Sequence, residues 1–149
     1  MPEQELAQVN VARLVAPLDD PAVADFVAGL EPVNALADAA PGFVWRLQTE
    51  TGHATDVRVG DDPLVIVNLS VWTGLDPLRE FVFRSDHAAF LRRRREWFAP
   101  WGGPPAALWW VPAGHRPDVD EALARLRRLA DDGPTAHAFT FRSPFPPPG

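Results

Sequence analysis

Asn68, Ser70 and Trp72 occupy alternate positions of the strand-like run 64–72, and Gln8 and Asn10 do the same in run 6–14. Side chains at every second position share one face of a sheet, so these amides and the hydroxyl could hydrogen-bond a ligand oxygen. The indole of Trp72 could stack on an aromatic ring beside them. Asparagine in mid-strand is poorly explained by packing alone, which favours a ligand role for Asn68. Arg46, flanked on its side of run 43–48 by Val44 and Gln48, carries a fixed charge that could stabilise an enolate, phenolate or carboxylate. His87 follows Ser85 and Asp86 at a helix start, where an imidazole with a tunable pKa could serve as general base.

The catalytic candidates are therefore His87, Asn68 and Arg46. The substrate-binding candidates are Trp72, Asn10, Arg94, Gln8, Ser70 and Trp109. Each has a structural alternative. His87 could be a packed histidine bonded to backbone, Asn68 and Trp72 could pack a dimer, and Arg46 could pair with a carboxylate of a partner subunit. The run Arg92 to Arg95 points around its helix, so it reads mainly as a solvated face with Arg94 the inward member. Most tryptophans supply packing area.

Composition narrows the chemistry. The chain has 149 residues, 46% apolar, with 14 basic residues that are all Arg, 20 acidic residues, 17 Pro and no Cys. Thiolate nucleophiles, disulfides and cysteine-type metal sites are excluded. The four histidines lack short metal-ligand spacing, and neither a glycine-rich phosphate loop nor a Gly-x-Ser-x-Gly turn occurs, so no metal site is expected. The acidic pairs Asp61-Asp62 and Asp131-Asp132 lie beside Gly or Pro and read as turn and cap residues. A formal net charge of −6 argues against nucleic acid as a partner. No run approaches a membrane span and the first residues do not read as a secretory leader, so a cytoplasmic protein without membrane association is expected.

The elements that must position these residues follow from periodicity. Run 6–14 alternates as a strand, with Ala7, Val9 and Val11 opposite Gln8, Asn10 and Ala12. Asp20-Pro21 starts a helix that ends near Pro41-Gly42, with Pro32 inside it. Run 43–48 alternates Phe43, Trp45 and Leu47 against Val44, Arg46 and Gln48, and a short strand at 57–59 is expected within a turn-rich segment. Run 64–72 sets a row of Val65, Val67, Leu69 and Val71 against Leu64, Ile66, Asn68, Ser70 and Trp72. A helical stretch from Gly74 to Phe98 follows, broken near Ser85, which caps its second part and places Phe83, His87, Phe90, Leu91, Arg94, Trp97 and Phe98 near one face. A strand at 106–111, a helix capped by Asp118 and closed at Gly133, and a last strand at 136–141 complete the chain.

Strand, helix, strand, strand, helix, strand is the ferredoxin-like split βαβ order, an α+β antiparallel sheet with helices on one face, here with an appended helix and strand. One domain is expected over residues 1–142, with a proline-rich flexible tail at 143–149. The sheet's other face would then carry Gln8, Asn10, Arg46, Gln48, Asn68, Ser70, Trp72 and one of Trp109 or Trp110. Such a face is too apolar for open water and too polar for a core. A second copy of the sheet would cover it and leave a cavity for a hydrophobic small molecule, giving a homodimer.

The blocks Asn34-Ala-Leu-Ala-Asp38, Gly42-Phe-Val-Trp-Arg-Leu47, Asn68-Leu-Ser-Val-Trp72, Arg93-Arg-Arg-Glu-Trp-Phe98 and Leu108-Trp-Trp-Val-Pro-Ala-Gly-His115 resemble the signature of an uncharacterised bacterial domain-of-unknown-function family in the dimeric α/β-barrel superfamily. That superfamily includes the antibiotic-biosynthesis monooxygenases. The resemblance implies a homodimer with a cavity between facing sheets. In cofactor-independent quinone-forming members a strand Asn, a Trp on the same strand and a later Arg bind and oxidise a polycyclic phenol. Asn68 and Trp72 match that pair, and Arg92 falls at the Arg by counting. In haem-degrading barrels the first-strand Asn resembles Asn10, but Phe81 and Leu91 stand where a Trp and an axial His belong, and His87 lies about a turn early. The expectation is a small-molecule enzyme acting on an aromatic or polyketide-like substrate, as a cofactor-independent monooxygenase or a same-fold isomerase or cyclase. The alternatives are a haem-binding barrel and a non-catalytic small-molecule-binding dimer.

Overall fold

The computed structural model describes residues 3–47, 64–85 and 87–148. Gln48, His53, Asp86 and the expected strand at 57–59 lie outside them. Five antiparallel strands form one sheet: β1 (Gln4–Leu14), β2 (Phe43–Arg46), β3 (Val65–Trp72), β4 (Phe98–Ala99) and β5 (Ala106–Pro112). The spatial order β2-β3-β1-β5 is the ferredoxin-like one, and β4 shares an edge of β1 with β5 by pairing only at Arg13 and Leu14. The long alternating sequences become the central pair, β1 against β3, with Gln8 opposite Ser70 and Asn10 opposite Asn68.

The helices are α1 (Ala24–Ala39), α2 (Leu75–Arg84), α3 (His87–Arg92), α4 (Arg94–Trp97) and α5 (Val119–Asp132). The Asp20 carboxylate accepts from the Ala22 amide to start one turn of 3-10 helix at Pro21–Val23, which runs into α1. Asp118 caps α5 by accepting from the Glu121 amide, as its position predicts. Between α1 and β2 the chain turns at Gly42, whose φ of +82° suits glycine; a Cβ there would also collide with Pro77 and the Thr73 hydroxyl.

The two rows of the sheet meet different partners. Ala7, Val9, Val11, Val67, Leu69, Val71, Ala107 and Trp109 form a continuous core with Ala122, Leu126 and Leu129 of α5. The opposite row faces the helices of the βαβ core. At one end Leu6, Trp72 and Leu108 pack against Leu78 of α2 and Phe139; at the other, Leu14 packs with Val23 and Trp97, with Phe26 and Ile66 beside them. The crossover helices thus share one face of the sheet, and α5 takes the other.

This corrects the placement of the amide face. Gln8, Asn10, Asn68, Ser70 and Trp72 lie on the side of the chain's own α1 and α2, not on a helix-free side. A period of two separates the rows but does not say which row a helix covers.

Three local expectations also change. A bulge between Phe43 and Trp45 breaks the alternation of β2, so Phe43 and Arg46 fall opposite Trp72 and Ser70 while Trp45 falls opposite Val71. The expected strand at 136–141 reduces to single bridges, Phe139 with Leu108 and Ala138 with Thr135. Phe83 is 47% exposed rather than inward, touching Phe141 edge-on. In the tail, Phe145 packs near Phe139, and its carbonyl accepts the Trp110 indole N–H. No described helix is long and apolar enough to cross a membrane.

Candidate functional site

The centre of the helix-facing side is a floor of amides. Gln8 is 6% exposed and Ser70 5%, yet their register neighbours Asn10 and Asn68 are exposed. Buried polar groups require partners, and here they supply one another. The Gln8 amide nitrogen donates to Asn68 Oδ1 at 2.8 Å and to Ser70 Oγ at 2.6 Å. Gln8 Oε1 accepts from Asn10 Nδ2 at 2.7 Å, and the Trp72 indole donates to Ser70 Oγ at 2.9 Å. Gln8 is the node of a relay running from Asn10 to Trp72.

The asparagines of this floor are exposed, and α1 packs loosely on this side of the sheet. Only Gly29 and Ala37 of α1 are buried, and Val27 and Leu36 are each 37% exposed. The helix touches the sheet near its ends, with Phe26 against Phe98 and Asp38 against Arg46. Arg46 Nε lies 2.8 Å from Asp38 Oδ1 and Nη2 lies 3.3 Å from Oδ2, a two-pronged pair within the chain. Opposite Ser70 in the sheet, Arg46 borders the amide floor with its charge already engaged.

Aromatic contacts connect the floor to His87. Trp72 is 1% exposed, with Phe43 edge-on at 5.4 Å and Phe81 tilted over it at 5.3 Å; the His87 ring lies 5.1 Å from Phe81. A fully buried indole presents no open face to a ligand, so Trp72 anchors Ser70 instead of stacking on a guest. The Ser85 hydroxyl bonds the Phe81 carbonyl and accepts from the His87 amide, as expected of a helix cap. His87 Nδ1 lies 3.2 Å from the Val82 carbonyl, which can only accept, so Nδ1 bears the proton and Nε2 is the basic nitrogen. Burial lowers the His87 pKa against the smaller opposing effect of the Val82 bond, leaving the ring neutral near pH 7.

Two binding candidates do not join this assembly. Trp109 is fully buried on the opposite face, where its indole donates to Glu121 Oε2 at 2.9 Å; the tryptophan on the amide side is Trp110. Arg94 is exposed and donates to the Leu91 carbonyl at 2.9 Å. A break at Arg93 resets the helical phase, and it is Arg93 that lies over Trp97, 4.7 Å from the ring centre, while bonding Asp25 and Glu96. The sequence reading missed Asp38 and Phe81 as supports. Asp38 sits in the last turn of a helix that folds back on the strand carrying Arg46, and that spacing was the available signal.

A shallow groove of about 350 Å³ elsewhere, between Leu75, Asp76, Trp110 and the proline tail, is lined mainly by apolar groups. Among the described residues no three His, Cys, Asp or Glu side chains converge to hold a metal ion.

Fold and site together define a ferredoxin-like α+β protein whose sheet carries an exposed asparagine pair on a buried glutamine, with a half-buried imidazole joined to that face through Phe81 and Trp72. Its architecture is shared, at 16% identity and a TM-score of 0.50 over 77% of this chain and 97% of the other, with a single-residue variant of SnoaB, a cofactor-independent oxygenase from Streptomyces nogalater. A Pseudomonas aeruginosa protein matches with 11% identity and the same TM-score over 75% of this chain and 96% of the other. Both likenesses concern the fold. The chain belongs to the family described as Domain of unknown function (DUF3291), whose profile matches residues 5–149. A search of curated proteins finds no match.

Proposed function

We propose that the protein is a small-molecule enzyme that oxygenates an aromatic or polyketide-like substrate without a cofactor, using the exposed asparagines of the amide floor. The observation that carries this reading is an exposed asparagine pair in mid-sheet, backed by a buried hydrogen-bonded glutamine and connected by ring contacts to a neutral histidine. Packing gives no reason to place two exposed amides there, whereas a ligand oxygen does. The same fold supports a protein described as a cofactor-independent oxygenase, which is an analogy of scaffold and not of site.

In the reaction, His87 Nε2 removes a proton from an acidic C–H or its phenol tautomer. Asn68 donates to the oxygen that becomes anionic. The carbanion passes one electron to O₂, the two radicals combine at carbon, and protonation gives a hydroperoxide. Loss of water leaves a carbonyl, so a CH₂ group and O₂ become C=O and H₂O. Arg46, held by Asp38, adds positive potential at the edge of the floor. Gln8, Ser70 and Trp72 orient the amides. One chain supplies all these groups, so a homodimer of the kind the resemblance implies would carry one site in each subunit.

Oxygen consumption with anthrone- and naphthol-type substrates tests the proposal. Turnover is expected in the native protein, with a large loss in Asn68→Ala and His87→Ala. Turnover unchanged in both variants rejects the assigned roles.

A further inference from the structure

We propose that the amide floor selects ligands presenting one hydrogen-bond acceptor and one donor side by side, of which a hydroxyaryl ketone is the simplest class. The inference rests on reading the floor as the ligand site. It follows from the connectivity of Gln8.

Asn10 and Asn68 are direct partners across β1 and β3, and such partners hold their Cβ atoms about 4.5–5.5 Å apart. Both bond to the single amide of Gln8. Its oxygen accepts from Asn10 and its nitrogen donates to Asn68. Asn68 therefore engages its carbonyl and keeps its N–H donors, while Asn10 engages one of its two N–H groups and keeps the second N–H and its carbonyl, so the only asparagine carbonyl left unbonded in this pair is that of Asn10. None of these remaining groups has a partner among the described residues.

The result does not depend on which way Gln8 points. Turning its amide over makes it accept from Asn68 and donate to Asn10, and the free groups exchange. The Ser70 hydroxyl then donates to the Gln8 oxygen, and still one asparagine donates to that oxygen while the other accepts from the nitrogen, so again one asparagine carbonyl is engaged and one is left unbonded. A ligand that satisfies the one free carbonyl as well as the free donors presents a hydroxyl towards one residue and a carbonyl or enolate oxygen towards the other. The flanking positions on the same face, Ala12 opposite Ile66 and Ala106 opposite Asn10, are half-buried and apolar, a bed suited to an aryl ring. Gln8 is thus a positioning residue whose role is to keep the two asparagines unlike.

The test is calorimetric binding of 3-hydroxyacetophenone, 3-methoxyacetophenone and 3-ethylphenol to the native chain. The hydroxy ketone should bind about tenfold tighter than either analogue, the scale of one lost hydrogen bond. Gln8→Leu should bind all three alike. Because Gln8 is buried, circular dichroism accompanies that variant, and Asn10→Ala, altered at an exposed position, provides a second arm that loses the discrimination against one analogue and keeps it against the other: the methoxy ketone with Gln8 oriented as described, the ethylphenol with its amide reversed. Equal binding of the three probes by the native protein, no binding of any, selectivity retained in folded Gln8→Leu, or both discriminations retained in Asn10→Ala overturns the inference. Selective binding without oxygen uptake on any anthrone or naphthol rejects the oxygenase reading and leaves the selection rule standing. Oxygen uptake with no probe selectivity does the reverse.

Discussion

The two faces of the sheet are built from the same strands and differ in how completely they close. Beneath α5, aliphatic side chains of β1, β3 and β5 meet Ala122, Leu126 and Leu129 in an unbroken core, with Trp109 buried to the last atom. Beneath α1 and α2, packing is confined to the two ends, and the middle is a hydrogen-bonded amide relay with Asn10 and Asn68 open to solvent. One face holds the fold together. The other has given up packing at its centre, and a site is the physical reason that best accounts for it.

The largest effects should separate the faces by stability. Leu126→Ala removes a side chain that is 1% exposed under α5 and should cost about 2–5 kcal/mol in urea unfolding. Asn68→Ala, at an exposed position, should stay within about 1 kcal/mol of the native protein, since it removes one hydrogen bond to Gln8. If Asn68→Ala proves as costly as Leu126→Ala, the amide floor is part of the core and the contrast fails. Activity should invert the order. Loss of an oxyanion donor typically lowers kcat about 10²–10³-fold, and that is the expectation for Asn68→Ala in oxygen uptake, whereas folded Leu126→Ala should retain most of its turnover.

A smaller effect concerns pH. Burial lowers the His87 pKa, so the unfolded chain binds this proton more readily than the folded one. The stabilisation tied to the neutral ring is complete above the unfolded value of about 6.5 and is lost as pH falls through the lowered folded value. Between pH 7 and pH 5 the Tm of the native protein should fall more than that of His87→Gln. Parallel curves would show that His87 is solvated and unsuited to act as the neutral base.

The sequence made the rows legible but not their covering. Alternation in β1 and β3 fixes which side chains share a side, and Gln8, Asn10, Asn68 and Ser70 do meet. Which side a helix takes depends on crossovers and on where α5 returns, and these are long-range properties invisible to a local period. The bulge in β2 has no compositional signature, so strict alternation puts Phe43 and Arg46 on opposite rows although both border the floor. Extending one helical phase through Arg93 aims Arg94 inward, but the helix breaks there without Pro or Gly to announce it. Trp72 illustrates a subtler gap. Its residue type and position fit a stacking platform, but α2 folds Phe81 across it, and only tertiary contacts distinguish a platform from an anchor.

The smallest expected effect sharpens the boundary between the faces. Arg46 is 13% exposed and Asp38 49%, so their pair is half in solvent and its coupling should be modest. A double-mutant cycle with Arg46→Met and Asp38→Asn should give a stability coupling below about 1 kcal/mol. The same cycle measured on oxygen uptake should behave differently. Asp38→Asn leaves Arg46 charged but held by fewer charge-assisted bonds, which should raise KM more than it lowers kcat, while Arg46→Met removes the positive potential and should lower kcat as well. Equal losses in both variants, with matching changes in stability, would make the pair a strut joining α1 to β2 and remove Arg46 from the chemistry.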